Sequence, residues 1–236
     1  DLRGIENQYR VLILPGNAEI TQEMADSIRK QLEGGATVIM TAFSAKVNEY
    51  NQVFDTSLPG RLSDVFGIKV RGFDRAITHV SQVNVGSLEK SPLELRRKKV
   101  TIEKDGETWQ SQVNYHEFLE LTTAQSLADY QGTDSPYTTA VSCNAYGKGK
   151  AIYVGVPAED GLIRTVLEKV CGILPAFPEL PKGVVARSLE GGKTLYVNTR
   201  PEEVAFPAKG RSLFTGETCQ DEVRLPAYEV ELLEQE

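Results

Sequence analysis

The sequence predicts an α/β domain with a mainly parallel sheet, followed by a small antiparallel β domain. Two short apolar runs, residues 9–14 and 36–41, flank a helical repeat that begins at Thr21. Strand, helix and strand joined by short connections form a βαβ unit, whose two strands lie parallel. Beyond a cluster of three prolines between residues 175 and 181, the chain carries only short β-like segments.

The helix of this unit is predicted from Thr21 to the glycine pair at 34–35. Met24, Ile28 and Leu32 recur at intervals of four and therefore lie on one apolar face. Threonine is a favoured N-cap, and glycine is favoured just beyond the last helical residue. The apolar runs on either side are short and continuous, which is typical of parallel strands buried on both faces.

Residues 62–155 predict a short helix and then a β-rich region. The helix at 62–66 ends at Gly67, and residues 68–73 predict a strand. One hairpin turns at Asp105-Gly106, a strong type I′ signal, and another turns at the glycine-rich run 146–149. The remaining predicted elements are strands at 99–104, 125–130, 138–144 and 150–156 and a helix at 161–171.

The tail predicts a small antiparallel β-sandwich. We place the domain limit at the proline cluster, which gives domains 1–178 and 179–236. A unit as small as the second is marginal as an independent fold. Its predicted strands are residues 183–186, 194–197, 203–206, 212–214 and 228–233.

Composition excludes several classes of protein. The 236 residues include 33 acidic and 26 basic side chains, for a formal net charge of -7. A net negative chain argues against a nucleic-acid partner held by phosphate contacts. No apolar run approaches the roughly 18 residues that a membrane span needs, so we expect no membrane partner.

The three cysteines, Cys143, Cys171 and Cys219, lie far apart and lack the CxxC spacing of a zinc or redox site. We interpret them as buried thiols in a reducing compartment, which favours the cytoplasm. One disulfide with a spare thiol is the alternative.

The sequence contains no recognisable active-site motif, and we predict no catalytic, metal-binding or cofactor-binding residue. Glu117 and the other acidic residues near element ends fit solvated surface carboxylates. His79 and His116 lack partners at ligand spacing and fit structural or surface histidines. Ser44 follows the second strand without the glycines of a nucleophile elbow. The glycine-rich run 146–149 opens no helix and is a hairpin turn rather than an anion cradle.

The loop from Phe43 to Arg61 is the candidate interface. It follows the carboxyl end of a predicted parallel strand, where ligand and partner surfaces collect. Its candidate contact residues are Phe43, Tyr50, Phe54 and Arg61, because aromatic residues and arginine are enriched at interface hot spots. Packing of these side chains within their own loop is the alternative.

Several motifs together resemble one family along nearly the whole chain. Residues 9–15 (YRVLILP), 36–41, 58–60 (LPG) and 144–149 (NAYGKG) resemble, in the same order, the trimerisation domain of family 42 glycoside hydrolases, the bacterial β-galactosidases. Residues 195–198 (LYVN), 214–216 and 225–228 are similar to the small C-terminal β domain of that family. Residues 78–121 match it poorly.

The resemblance implies a flavodoxin-like (class I glutamine amidotransferase-like) domain and a homotrimer. It also implies a catalytic barrel of about 250 residues before residue 1, which carries both catalytic glutamates. The parent would hydrolyse terminal β-galactosides by a retaining, two-carboxylate mechanism. We therefore expect this chain to be the noncatalytic portion of such an enzyme.

Two other hypotheses belong to different classes of protein. In the first, the chain is a stand-alone amidotransferase-like or carbohydrate-binding domain with its own small-molecule ligand. In the second, it is a cryptic hydrolase. The latter would turn over a nitrophenyl galactoside, which we do not expect.

Overall fold

The fold is given by a computed structural model that describes residues 9–75, 98–113, 115–158, 162–173, 177 and 180–234. The chain divides into two compact units, Asp1–Ile173 and Leu174–Glu236. His79, the start of the predicted helix at residue 161 and the predicted domain limit at residue 178 lie outside the described residues.

The N-terminal unit consists mainly of strands. In chain order its elements are β1 (Val11–Leu14), α1 (Gln22–Glu33), β2 (Thr37–Thr41), α2 (Ser63–Phe66), β3 (Ile68–Arg75), β4 (Lys98–Lys104), β5 (Glu107–Val113), β6 (Tyr115–Leu121), β7 (Gln125–Gln131), β8 (Thr139–Tyr146), β9 (Gly149–Val154) and α3 (Leu162–Thr165). A 3-10 turn at Gly60–Leu62 precedes α2, and a π-helical turn at Val166–Val170 continues α3.

The predicted local elements are confirmed. β1 and β2 are connected through α1 and pair in parallel. The Thr21 hydroxyl accepts a hydrogen bond from the Met24 N–H at 3.1 Å, so it caps the helix as predicted. The hairpins β4–β5 and β8–β9 turn where the glycine signals place them. The chain is also helical over the described part of 161–171.

The predicted fold class is wrong: the N-terminal unit is not a flavodoxin-like domain with a mainly parallel sheet. Its seven-stranded sheet has the order β1-β2-β9-β8-β7-β4-β5. Only the pairs β1–β2 and β2–β9 are parallel, and the other four pairs are antiparallel. β3 and β6 form a separate antiparallel pair.

The reason for the error is that one βαβ unit does not determine a whole sheet. Each parallel neighbour in a doubly wound fold needs a long, usually helical, crossover. After β2 the described chain supplies helices of four and nine residues at most. Antiparallel hairpins join β4 to β5, β7 to β8 and β8 to β9. Among the described residues, α1 is the one long helix, and it serves only the parallel edge of a mixed sheet.

The central strands are buried on both faces, as their apolar sequences indicate. Val38 and Met40 of β2 pack with α1, α2 and β6, whereas Ile39 between them packs on the opposite face. β9 repeats this division with Tyr153 and Ile152. The alternation creates two apolar cores, one on each side of the sheet.

Gly67 connects α2 to β3 in a left-handed conformation, with φ of 63°. Its carbonyl accepts hydrogen bonds from the N–H groups of Thr122, Thr123 and Ala124. A β-carbon at this position would lie 2.5 Å from the Thr123 hydroxyl and 2.6 Å from the Ala124 nitrogen. Glycine is therefore required here both by the backbone angle and by crowding.

The C-terminal unit is antiparallel in all its described strands. They are β10 (Val184–Leu189), β11 (Lys193–Asn198), β12 (Val204–Pro207), β13 (Gly210–Ser212), β14 (Thr218–Cys219), β15 (Glu222–Leu225) and β16 (Val230–Glu234). They form a sheet of order β10-β11-β16-β13-β14 and the separate pair β12–β15. The unit has its own core, which includes Tyr196, Phe206 and Leu233. The short strands β14 and β15 were not predicted.

The three cysteines are free thiols, and each is half-buried rather than fully buried as predicted. Burial raises the pKa of Cys143, and it raises the pKa of Cys171 to about 11. Both thiols are therefore protonated and unreactive near neutral pH. Among the described residues, no helix is long and apolar enough to cross a bilayer.

Replacing Gly67 with alanine is expected to lower the free energy of unfolding by about 2–5 kcal/mol, from left-handed strain plus the clash. Gly106 is the matched control, because its φ is 83° but nothing lies within 4 Å of an added β-carbon. Gly106→Ala should cost only about 1–2 kcal/mol. Urea unfolding measures both values, and equal costs would contradict the crowding at Gly67.

Candidate functional site

The candidate interface is the loop that follows β2, at the carboxyl edge of the two parallel pairs. The Ala42 N–H donates to the Val156 carbonyl at 3.3 Å, which fixes the start of the loop. Phe43, Ala45 and Asn51 then adopt positive φ angles of 69°, 51° and 58°. Left-handed conformations are uncommon outside glycine and asparagine, so tertiary contacts must hold Phe43 and Ala45 in place.

The Ala45 N–H donates to the Asn17 carbonyl at 2.8 Å, whereas Phe43 is held by the carboxylate of Glu117, which is 0% exposed. Its Oε1 accepts from the Lys46 ammonium at 2.6 Å and from the Phe43 N–H at 3.2 Å. Its Oε2 accepts from the Tyr153 hydroxyl at 2.7 Å. A buried carboxylate is tolerated only when it is paired and hydrogen-bonded, and this one is both. We call Glu117, Lys46 and Tyr153 the carboxylate cluster.

The carboxylate cluster also affects the neighbouring phenols. Burial raises the pKa of Tyr153 well above its usual value, and the negative charge of Glu117 raises it further. The same two causes, in the same order, raise the pKa of Tyr130. Both phenols therefore stay protonated at neutral pH, and Tyr153 remains a hydrogen-bond donor to Glu117.

Glu117 is buried, so the interpretation of this residue as a solvated surface carboxylate is wrong. The signal against that assignment is the alternation of β6, in which Glu117 shares the phase of Leu119 and Leu121. Leu119 belongs to the apolar core, and Leu121 packs against it. His116 is also buried, at 4% exposure, and its ring packs on Tyr130 at 4.8 Å.

Aromatic rings cover the outer side of the carboxylate cluster. The Phe43 ring meets Tyr115 edge-on, with 5.3 Å between centroids. The Lys46 ammonium lies 4.9 Å from the Phe43 centroid and 5.9 Å from that of Phe73, within cation–π range. Phe43 and Phe73 nevertheless remain 44% and 49% exposed. We call Phe43, Phe73 and Tyr115 the aromatic patch.

Tyr50 lies farther along the loop and is 76% exposed. An Asx turn supports it, because the Asn48 side-chain oxygen accepts from the N–H groups of Tyr50 and Gln52 at 3.0 Å. Val53, beyond the turn, is 72% exposed. This tip of the loop thus presents apolar side chains on a hydrogen-bonded backbone.

Phe54 and Arg61 hold the loop together from within. Arg61 donates to Glu49 at 2.8 Å and to the Ile20 carbonyl at 3.1 Å, and its guanidinium lies 5.4 Å from the Phe54 centroid. The hydrogen bond from Arg61 also lowers the pKa of Glu49. Phe54 packs so closely on Gly60 that a β-carbon there would overlap its ring.

The structure therefore separates the four predicted residues. Phe43 and Tyr50 present their side chains to solvent, whereas Phe54 and Arg61 make contacts inside the loop. Sequence reasoning missed Lys46, Phe73 and Glu117, which come together only through long-range contacts.

The chemistry of this arrangement is structural rather than catalytic. Both oxygens of Glu117 are occupied by protein donors, and the carboxylate has no access to a substrate. The described residues contain no group of three or more His, Cys, Asp or Glu side chains that could hold a metal ion.

Comparison with known proteins identifies the family. The family described as "Beta-galactosidase trimerisation domain" matches residues 6–173, and this chain belongs to it.

The similar proteins are considerably longer than this chain. The β-galactosidase BglY of Alicyclobacillus acidocaldarius is 29% identical over 236 residues, which cover 96% of this chain and 33% of that protein. LacZ of Heyndrickxia coagulans is 24% identical, with 97% and 32% covered. The crystal structure of β-galactosidase from Bacillus circulans sp. alkalophilus matches the fold with a TM-score of 0.71 at 23% identity, over 97% of this chain and 33% of that one. The chain thus spans about a third of the length of these relatives.

Glu117→Gln is expected to lower the free energy of unfolding by about 3–5 kcal/mol, because it leaves the ammonium of Lys46 without a counter-charge. Lys46→Met should have a similar cost, and the double variant should cost less than the sum of the two. Urea unfolding measures all three.

Glu120→Gln is the matched control on the same strand. Glu120 pairs with Arg71 at the surface, where ion pairs contribute little, so its loss should hardly change stability. Equal effects at Glu117 and Glu120 would contradict the role of the carboxylate cluster.

Proposed function

We propose that this chain is the noncatalytic, assembling portion of a β-galactosidase-type glycoside hydrolase. The observation that carries the proposal is the match of residues 6–173 to the trimerisation domain family. Relatives that are themselves β-galactosidases, and of which the chain spans about a third, support it further. In this proposal the parent hydrolyses terminal β-galactosides with two carboxylates on a catalytic barrel outside this sequence.

The proposed contact surface between copies is the aromatic patch together with Tyr50. Aromatic side chains are enriched in the buried centres of interfaces, where they exclude water at low entropic cost. Phe43 is fixed at its backbone by Glu117 and Tyr50 by Asn48. The backbone that carries both side chains is therefore already ordered before association. Such preorganisation favours affinity. Phe54 and Arg61 support the surface without forming it.

Several further features belong to the proposal. The domain limit lies near residue 178, which the division into units Asp1–Ile173 and Leu174–Glu236 supports. The two C-terminal sheets form a small sandwich around the core that includes Tyr196 and Phe206. The protein works in the cytoplasm, which its three free thiols favour. It needs no cofactor for assembly and forms a homotrimer.

Light scattering at several concentrations tests the contact surface. We expect the wild-type chain to form trimers and the double variant Phe43→Ala/Tyr50→Ala to be monomeric with unchanged circular dichroism. Tyr228→Ala is the control, since Tyr228 is a 68% exposed aromatic of the other unit and should leave the trimer intact. A wild-type chain that stays monomeric, or a double variant that still forms trimers, would contradict the proposal.

The chain alone is expected not to hydrolyse a nitrophenyl β-galactoside, because the catalytic carboxylates are proposed to lie on another part of the parent. Release of nitrophenol is measured by absorbance, with BglY as the positive control. Turnover that remains after repurification and is saturable with substrate would argue for a catalytic site on this chain.

A further inference from the structure

The C-terminal unit contains an open groove of about 860 Å³ that no part of the proposed assembly uses. It is lined by residues of the strands β10 to β14, by the turns beside them and by Phe177. We propose that this groove binds a short saccharide. The residues on which the proposal depends are Thr194, Tyr196, Lys209 and Asp221.

The floor of the groove carries two hydroxyl groups on nearly buried side chains. Thr194 is 4% exposed and Tyr196 is 6% exposed, and they occupy alternate positions on the inward face of β11. Neither hydroxyl is sealed from solvent, and neither makes a hydrogen bond to any residue that the structure describes. Hydroxyl groups that face an open groove and have no protein partner can pair with a bound ligand in place of water.

Other buried polar side chains of this unit are satisfied by the protein. The Asn198 amide, next on the same face of β11, donates to the carbonyls of Glu202, Leu225 and Pro226. The Ser212 hydroxyl donates to the Glu231 carboxylate at 2.8 Å. The protein itself thus supplies hydrogen-bond partners for Asn198 and Ser212, whereas it supplies none from the described residues for the two groove hydroxyls.

The rim of the groove provides charges of both signs. The Lys209 ammonium and the Asp221 carboxylate lie 3.7 Å apart and are both well exposed. A saccharide hydroxyl can donate to the carboxylate and accept from the ammonium, and each floor hydroxyl can do either. Burial raises the pKa of Tyr196, so its hydroxyl remains a donor at neutral pH.

Other classes of small ligand fit the groove less well. An apolar ligand would cover the hydroxyls of Thr194 and Tyr196 without pairing them, which is costly. An anion would meet the carboxylate of Asp221 at the rim, and neither of the two lysines that line the groove, Lys193 and Lys209, is buried on its floor. Small-molecule sites measure about 300–1,000 Å³, so the groove has room for a di- or trisaccharide.

The proposal does not depend on the proposed function, because a sugar site on this unit would be compatible with a glycosidase portion or with any other carbohydrate-related chain. The experiments that test the groove and those that test the assembly also measure different quantities. Saccharide binding is measured by titration and assembly by light scattering, and neither outcome predetermines the other.

Saturation-transfer NMR and calorimetry on the intact chain test the groove, with lactose, cellobiose and methyl β-galactoside as probes. We expect saturable binding of at least one disaccharide. Thr194→Val and Tyr196→Phe each remove one hydroxyl with little change of shape, so each should weaken binding about fivefold. Their thermal unfolding should match the wild type, because the lost hydroxyls bond to no described residue.

Tyr228→Phe is the control, because it removes an exposed hydroxyl from the same unit outside the groove. Binding should be unchanged in this variant. The absence of saturable binding by the wild type at tens of millimolar saccharide would overturn the proposal. Binding that both groove variants retain at full strength would also overturn it, since the saccharide would then occupy another site.

Discussion

The ion pair and hydrogen bonds of the buried Glu117 carboxylate are the interactions on which the surface of the N-terminal unit depends. It joins β6, the loop after β2 and β9 through Lys46, the Phe43 N–H and Tyr153. A charge at this depth requires a full set of donors, so the loop can follow few paths over it. The path that it takes brings Phe43 into the left-handed region and leaves its ring exposed. The outward presentation of an aromatic side chain is thus a consequence of a buried ion pair.

Local signals predicted the elements of the fold but not its class. The Thr21 cap, the stop at Gly67 and the turn at Asp105-Gly106 each depend on a few neighbouring residues, and each was correct. The class of the sheet depends on which strands pair. β9 pairs in parallel with β2 but antiparallel with β8, and this second pair begins the antiparallel part of the sheet. An apolar strand does not encode its partner. The flavodoxin-like prediction therefore extended a correct βαβ unit to strands that hairpins had already paired.

The sites were predictable to different degrees for the same reason. Aromatic content made the loop after β2 the candidate interface. Only the contacts of Arg61 and the close approach of Gly60 separate Phe54 from the exposed residues of that loop. Alternation in β6 could have revealed Glu117. In β11, alternation places Thr194, Tyr196 and Asn198 on the inward face, but it does not tell which of them the protein itself satisfies. That distinction comes from partners far away in sequence.

The contacts of Glu117 also set the order in which this surface can form. The carboxylate is 74 residues from Phe43, 71 from Lys46 and 36 from Tyr153 along the chain. Contacts between such distant residues form late, after the loop-closure entropy has been overcome. A nascent chain that has emerged only as far as β3 contains the loop but has no means of shaping it. Phe43 therefore adopts its presented form only once β6 and β9 have been synthesised, so an unfinished chain lacks the surface that we propose for association.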